Sequence, residues 1–203
     1  MISYLDPILF PDQCHVYEVE PNRYVYPIFK NGSSSLVKSA RQLNYTELKE
    51  VKVVEVFLRD PFERFVSGVQ TYLRQLPPDM DRATVLSIIN EFLFVNRHFA
   101  LQFHWLMNFA RHSEAWIHIR SMDELSTATE HTLNVLERDE ALIAYFENNN
   151  KLKFYLQIDK FIYERFMGKT IHFSTILHVL KATEPFLYDE IIQRSKDLCN
   201  VLD

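Results

Sequence analysis

Glycine is nearly absent, with 3 in 203 residues where average usage of about 7% would give roughly 14. That scarcity excludes collagen-like, linker-rich and low-complexity architectures. It also leaves few places where the backbone can take positive φ cheaply, so Gly32, Gly68 and Gly168 each need a local reason. Cysteine is equally scarce: Cys14 and Cys199 are too few and too far apart for a disulfide framework or a zinc site, and reduced, buried thiols are expected. No apolar run approaches the roughly 20 residues needed to span a bilayer. The stretch MISYLDPILFPDQ has no basic n-region and is broken by Pro7 and Pro11, unlike a signal peptide. Basic charge is not in excess either, since the formal net charge is −5, which argues against nucleic-acid binding. A soluble, cytoplasmic protein with no nucleic-acid or membrane partner is expected.

Apolar and aromatic side chains are what the chain has in quantity. Hydrophobic residues make up 47%, including 16 Phe and 10 Tyr, enough for a sizeable core. At roughly 150 residues per domain the length fits one domain over 1–203. Charge is uneven along it: residues 1–120 carry 13 of the 22 basic and 13 of the 27 acidic side chains, and residues 121–203 carry 9 and 14. A site for an anionic ligand is therefore expected in the first part.

Residues 1–23 read as an irregular lead-in. Tyr24–Phe29 (YVYPIF) is a short run of β-formers in which Pro27 suggests an edge or a bulge. It enters the turn-forming KNGSSS and then LVKSARQL, which suits a helix with a serine N-cap. Val51–Leu58 (VKVVEVFL) is a second strand, and Asp60-Pro61 opens a helix through about Leu76, stopped by Pro77-Pro78. Strand, loop, helix, strand, loop, helix implies adjacent parallel strands. Val85, Ile88, Ile89, Phe92 and Leu93 keep helical spacing, residues 98–112 read as a further helix, and Ala115–Arg120 alternates like a third strand. Asp123–Glu137 and Pro185–Leu198 are helical by the same test, while residues 138–183 are ambiguous between strand and helix. The class is α/β.

Two segments have the chemistry of phosphate handling. Lys30–Ser35 lies between a strand and a helix, where Gly32 lets the backbone approach an anion, N–H groups cradle it, and Ser33, Ser34 and Ser35 add hydroxyl donors. Asn31 belongs to the same turn. The lysine precedes the only glycine, so this is not a Walker A loop, and a plain polar turn has the same composition. Arg59 stands at the C-terminal end of a strand, where open α/β sheets bind ligands. Ser67 lies eight residues on, about two turns into the helix beginning near Pro61, and the chain reversal can bring it back beside Arg59. A guanidinium fork with a hydroxyl suits a terminal phosphate. Arg64 either assists or pairs with Asp60 or Glu63.

Taken together, FKNGSSSL and LRDPFERFVSGV resemble the sulfotransferases that use 3′-phosphoadenosine 5′-phosphosulfate (PAPS), above all the carbohydrate-type branch. That family carries K-x-G-[ST]-[ST]-[ST] after one strand and R-[DN]-P-x-x-R-x-x-S after the next. The resemblance covers residues 24–72 closely and 96–125 more loosely, with PFLYDEIIQRSKDL similar to the family's closing helix. It implies a P-loop-like three-layer fold with a small parallel sheet of about 3–5 strands flanked by helices. The phosphosulfate-binding core would occupy about 24–76, with acceptor-side and closing helices over about 82–203. It further implies that Lys30 stabilises the leaving phosphate and that Asn31, Gly32, Ser33, Ser34 and Ser35 hold the 5′-phosphate. Arg59 and Ser67 would hold the 3′-phosphate, and no metal is needed. The acceptor would be a hydroxyl on a small molecule or glycan.

Such an acceptor needs a general base. No histidine lies between the two motifs. Glu47, in Asn44-Tyr45-Thr46-Glu47-Leu48, is best placed if that stretch is a loop. Glu50 suits a solvated surface, and Glu55 inside a strand is either buried and paired or functional. His98 in NRHFALQ resembles the D-x-H-[WF]-x-P-Q segment of bacterial relatives, with Leu101 in place of the proline; His98 or Gln102 would face the acceptor. A helix-start histidine bonded to backbone is the structural alternative. His104, His112, His118, His131, His172 and His178 show no metal-ligand spacing, and Gly168 suits a turn. Trp105 and Trp116 suit core or strand-face positions, and either would also suit the border of an adenine site. A kinase-like phosphotransferase and a non-catalytic nucleotide-binding protein are the competing functions. If Gly32 serves anion approach, Gly32→Val abolishes binding of 3′-phosphoadenosine 5′-phosphate, as measured by calorimetry.

Overall fold

Val53–Leu58 is the strand that the sequence marks most clearly, and it runs through the middle of the sheet with Val54, Val56, Phe57 and Leu58 all buried. The structure, a computed structural model, describes residues 14–33, 37–38, 40–94, 96–124 and 138–200, with backbone alone for 196–200. The strands are β1 (Tyr17–Glu20), β2 (Arg23–Val25), β3 (Arg41–Gln42), β4 (Val53–Leu58), β5 (Trp116–Ser121) and β6 (Thr170–Ile171). Among the described residues they form one 6-stranded sheet ordered β3-β1-β2-β4-β5-β6. Only β2, β4 and β5 run parallel; β1 and then β3 add antiparallel on one side and β6 on the other. The sheet is thus mixed and larger than the small parallel one expected.

The additional strands carry little hydrophobic signal of their own. β1 forms a hairpin with β2 where a lead-in is expected, turning at Asn22, whose φ of 63° suits the tolerance of asparagine for the left-handed region. The Asn22 N–H donates to Glu18 Oε1 at 3.2 Å. β2 stops at Val25 rather than reaching Phe29. Tyr26 still donates its N–H to the Glu55 carbonyl at 3.0 Å, but Pro27 has no N–H to continue the ladder. Arg41-Gln42 pairs with β1 instead of lying in a helix through Leu43.

The helices are α1 (Tyr45–Glu50), α2 (Pro61–Gln75), α3 (Arg82–Phe92), α4 (Gln102–His112), α5 (Glu140–Glu147), α6 (Asn150–Phe166), α7 (Phe173–Thr183) and α8 (Pro185–Asn200). The periodic stretches 61–76, 82–93 and 185–198 fold as their spacing predicts, although Phe92 is exposed and Leu93 falls just past its helix. The ambiguous LKFYLQI lies in α6. Its buried stripe is Leu152, Leu156, Asp159, Ile162 and Phe166, a helical period disguised by a carboxylate at its centre. The predicted helix Asp123–Glu137 lies outside the described residues beyond Glu124.

One face of the sheet, through Val54, Val56, Leu58, Ile117 and Ile119, joins the main core with Phe65, Val69, Ile158 and Ile176. The other face is smaller, with Val25 and Phe57 against Val19, Val37 and Met122. Cys14 is a free thiol that burial pushes up to about 12. No helix among the described residues is long and apolar enough to cross a membrane.

Gly68 determines how closely the segment before α4 approaches α2. A Cβ there would lie 2.2 Å from the His98 carbonyl oxygen and 2.7 Å from its carbon. Gly168 has open space around it but a φ of +74°, with its N–H donated to the Ile119 carbonyl at 2.8 Å. Gly68→Ala is expected to destabilise by about 1–3 kcal/mol through backbone overpacking, outweighing the roughly 1 kcal/mol gained in helix propensity. Gly168→Ala should cost about 1–2 kcal/mol from the left-handed backbone alone. Urea titration of both variants checks this, and only Gly68→Ala should also disturb the His98 resonances.

Candidate anion site at the strand ends

Three segments meet where β2 and β4 end: the turn Phe29–Ser33, the step Arg59–Asp60, and residues 96–102. The turn is strained on purpose by its contacts. Lys30 has φ 70° and Gly32 φ 68°, and a non-glycine residue in this region persists only where its surroundings hold it. What holds it is Asn31, wholly buried, whose Nδ2 donates to the Phe57 carbonyl and to Gln102 Oε1, both at 2.7 Å. Ser33 begins a helical segment, while Ser34 and Ser35 lie outside the described residues.

Gln102 is the hub. Its Oε1 also accepts the Arg59 N–H at 3.0 Å and its Nε2 donates to the Arg59 carbonyl at 2.9 Å. The side-chain amide therefore pairs with Arg59 as a neighbouring strand would, prolonging β4 by one residue. Gln102 faces inward to the two loop ends, not outward to an acceptor. It is held by Asp159 of α6, whose carboxylate accepts the Gln102 N–H at 2.7 Å and the Phe103 N–H at 2.8 Å. Leu101, at the N-cap of α4, makes no side-chain cap, so Asp159 caps the helix from another element and sets its charge on the positive end of the dipole. Burial pushes the Asp159 carboxyl up to about 6, against the pull of those two N–H bonds and of Arg64.

Arg64, expected either to assist Arg59 or to pair with Asp60 or Glu63, is instead buried at 1% exposure. Its Nε donates to the Phe29 carbonyl at 3.1 Å and its Nη1 to the Ala100 carbonyl, tying the turn to the segment before α4. Burial lowers it to about 10, with Asp159 opposing, so it stays charged at neutral pH. Asp60 caps α2, accepting the Glu63 N–H at 2.9 Å. Glu63 itself reaches Arg59, Nη2 to Oε2 at 3.5 Å, an exposed pair of little strength.

Lys30 projects from the strained turn onto α2, donating to Thr71 Oγ1 at 2.5 Å. That hydroxyl in turn donates to the Ser67 carbonyl at 3.0 Å. Ser67 is half-buried one turn before Thr71 on α2, and it meets Thr71 through its backbone carbonyl alone. Burial, then Arg59, Arg64 and Arg74, lower the Lys30 ammonium. His98 lies beside this group, its ring 5.6 Å from that of Phe29. Asn96 Oδ1 accepts both the His98 N–H at 2.9 Å and its Nδ1 at 2.8 Å. Two donors on one oxygen make Nδ1 the protonated nitrogen and leave the lone pair on Nε2. Burial first, then Lys30, Arg97 and Arg64, push His98 down to about 4. At neutral pH it is an uncharged acceptor.

The carboxylates proposed from sequence fall elsewhere. Glu47 is not on a loop but in the first turn of α1, where it completes a capping box with Asn44 and accepts Arg41 Nη1 at 2.6 Å. The Asn44 N–H, then Arg41, hold it below the ordinary carboxylate range, which weakens it as a base. Glu50 is exposed. Glu55 is paired: Arg23 forks onto both its oxygens at 3.1 and 2.9 Å, and Arg120 Nη1 donates to Oε2 at 3.3 Å. His172 caps α7 and His118 bonds Thr170. Trp105 packs on Tyr26 and Phe29, whereas Trp116 is 51% exposed on β5. No group of three or more His, Cys, Asp or Glu is placed to hold a metal ion among the described residues.

Thr71, Arg74, Asn96, Arg97 and Asp159 were not singled out by the sequence. For two of them a signal exists, since Arg64, Ser67, Gly68, Thr71 and Arg74 recur at three- and four-residue steps, one stripe of a helix. Asp159 has none, being 57 residues from Gln102. No protein-family model matches the chain, nor does any curated protein or solved structure.

Asp159→Ala uncaps α4 and leaves buried Arg64 without its counter-charge. It should lose on the order of 3 kcal/mol in urea denaturation. The Asp159 carboxyl sits at about 6 in the fold, above its ordinary 3.8, so the folded chain holds that proton more tightly than the unfolded one. Its contribution to stability therefore falls as pH rises between those values, and this slope should vanish in Asp159→Asn.

Proposed function

We propose that the chain is a sulfotransferase with a P-loop-like core, moving a sulfuryl group from PAPS to a hydroxyl acceptor of carbohydrate type. The observation that carries this is Lys30 at the strained turn after β2. It is anchored on Thr71, surrounded by Arg59, Arg64 and Arg74, and has neutral His98 beside it. Among the described residues no carboxylate forms an ion pair with Lys30, Arg74 or Arg97. Concentrated positive charge of this kind is costly in the fold and is relieved by a bound anion.

In this reading the Asn31–Ser35 turn receives the 5′-phosphosulfate, with Gly32 in the left-handed conformation that the turn needs. Arg59 and Ser67 receive the 3′-phosphate, the weak Arg59–Glu63 pair giving way. The acceptor oxygen attacks sulfur as the bond from sulfur to the 5′-phosphate oxygen breaks. The hydroxyl proton passes to His98 Nε2, and the former bridging oxygen leaves on the 5′-phosphate of 3′-phosphoadenosine 5′-phosphate with a new negative charge, which Lys30 stabilises. A base at about 4 is weak, but part of its depression comes from Lys30, Arg97 and Arg64. A bound phosphosulfate offsets that field and raises the histidine, so donor binding itself arms the base.

Calorimetry with 3′-phosphoadenosine 5′-phosphate tests the reading directly: wild type binds, and Arg59→Ala loses roughly tenfold or more for a charge-assisted bond. Lys30→Ala should lower turnover more than nucleotide affinity. In NMR titrations His98 should move up from about 4 towards 6.5 when nucleotide is bound. Absence of nucleotide binding by wild type would overturn the proposal, and binding without transfer to any hydroxyl acceptor would reduce it to a nucleotide-binding protein.

A further inference from the structure

The side chains of Arg64 and Asn31 tie the same two segments together, side by side. Arg64 joins Phe29 to Ala100, its Nε donating to the first carbonyl and its Nη1 to the second. Asn31, two residues beyond Phe29, reaches Gln102, two residues beyond Ala100. Both side chains are buried, and each keeps one polar atom that has no hydrogen-bond partner among the described residues. These atoms are Nη2 of Arg64, a donor, and Oδ1 of Asn31, an acceptor.

The orientation of the Asn31 amide is fixed by its partners. Gln102 Oε1 accepts the Arg59 N–H, so the atom that Gln102 turns to Asn31 is an oxygen, and Asn31 must meet it with Nδ2. The other hydrogen of Nδ2 goes to the Phe57 carbonyl. A flipped amide would set Oδ1 against two acceptors. Buried polar groups of native proteins are in the large majority paired, with protein or with ordered water. A water accepts from Nη2 with a lone pair and donates to Oδ1 with a hydrogen, and buried waters make about three such bonds. The Phe29 and Ala100 carbonyls, each bonded once by Arg64, have a second lone pair to offer. An anion would suit Nη2 but repel Oδ1, and a cation the reverse.

We propose that one water molecule is bound between Arg64 Nη2 and Asn31 Oδ1, as a fixed part of the floor beneath the strand-end site. It gives α2 a hold on the turn at the residue between Lys30 and Gly32, where Gln102 already holds it from α4. The inference goes beyond the sulfotransferase reading and does not depend on it.

The test uses the full wild-type chain without nucleotide. A high-resolution crystal structure should show a single round density peak within about 2.7–3.2 Å of both atoms. In solution, NMR should show cross-peaks from water to the carbon-bound side-chain protons of Asn31 and Arg64, with the sign of a water that tumbles with the protein. A direct bond between Nη2 and Oδ1, another protein group on either atom, or an empty gap between them overturns the proposal. So does an anion in that place, which a bromide soak would reveal by anomalous scattering. Absence of the NMR cross-peaks, or cross-peaks with the sign of a freely exchanging water, overturns it without a crystal.

Discussion

A buried carboxylate on the first turn of α4 sets the geometry on which the rest of the site depends. Asp159 accepts two backbone N–H groups there, and by placing Gln102 it places everything that Gln102 holds. That amide pairs with both backbone groups of Arg59 and with Asn31. The end of β4, the turn after β2 and the start of α4 are therefore one hydrogen-bonded unit. Inside a protein such chains of bonds strengthen one another, and an incompletely satisfied one is costly. Arg64 completes the unit from the α2 side, taking the Phe29 and Ala100 carbonyls and giving Asp159 a counter-charge in the same desolvated interior.

This rigid base allows positive charge to be concentrated above it. Lys30 in a left-handed turn, Arg59, Arg74 and Arg97 would drift apart on a mobile loop, because like charges repel and surface side chains lose entropy when held. Here the turn is pinned by Asn31, Lys30 by Thr71, and Arg97 by the Phe29 ring. Gly68 contributes by absence: without a side chain it lets the His98 backbone lie against α2, and so brings the imidazole to the same place as Lys30. The energy held in strain and repulsion is of the kind that functional sites retain at the expense of stability.

Much of this was legible in the chain. Helix α2 could be read from Asp60-Pro61 to Leu76 because its cap, its N1 proline and its apolar stripe agree. β4 and β5 could be read from their β-branched runs, and Asn31, Gly32 and Arg59 from turn and strand-end chemistry. Glu47 was misplaced because N-x-x-E in a short polar stretch is a capping box as readily as a loop, and the Arg41 that engages it is set by pairing of β3 with β1. Arg64 was expected to assist Arg59 or to pair with Asp60 or Glu63 because those are its neighbours on the helix. Its burial against the Phe29 and Ala100 carbonyls and near Asp159 has no local signal, since charged residues are seldom fully buried. α6 stayed ambiguous because its central buried position is an aspartate.

Local chemistry by itself determined the α/β class, the strands β4 and β5 and the helix α2 that follows β4, since propensity, capping and turn geometry act within a few residues. Tertiary structure alone decided the short antiparallel strands β1, β3 and β6 and the partners of Glu55. It also decided the inward orientation of Gln102 and the meeting of Lys30 with His98, which depend on contacts spanning many tens of residues. The three glycines follow the same division. Gly32 and Gly168 are explained by their own positive φ, a local property, whereas Gly68 is explained only by the backbone that another part of the chain lays across it.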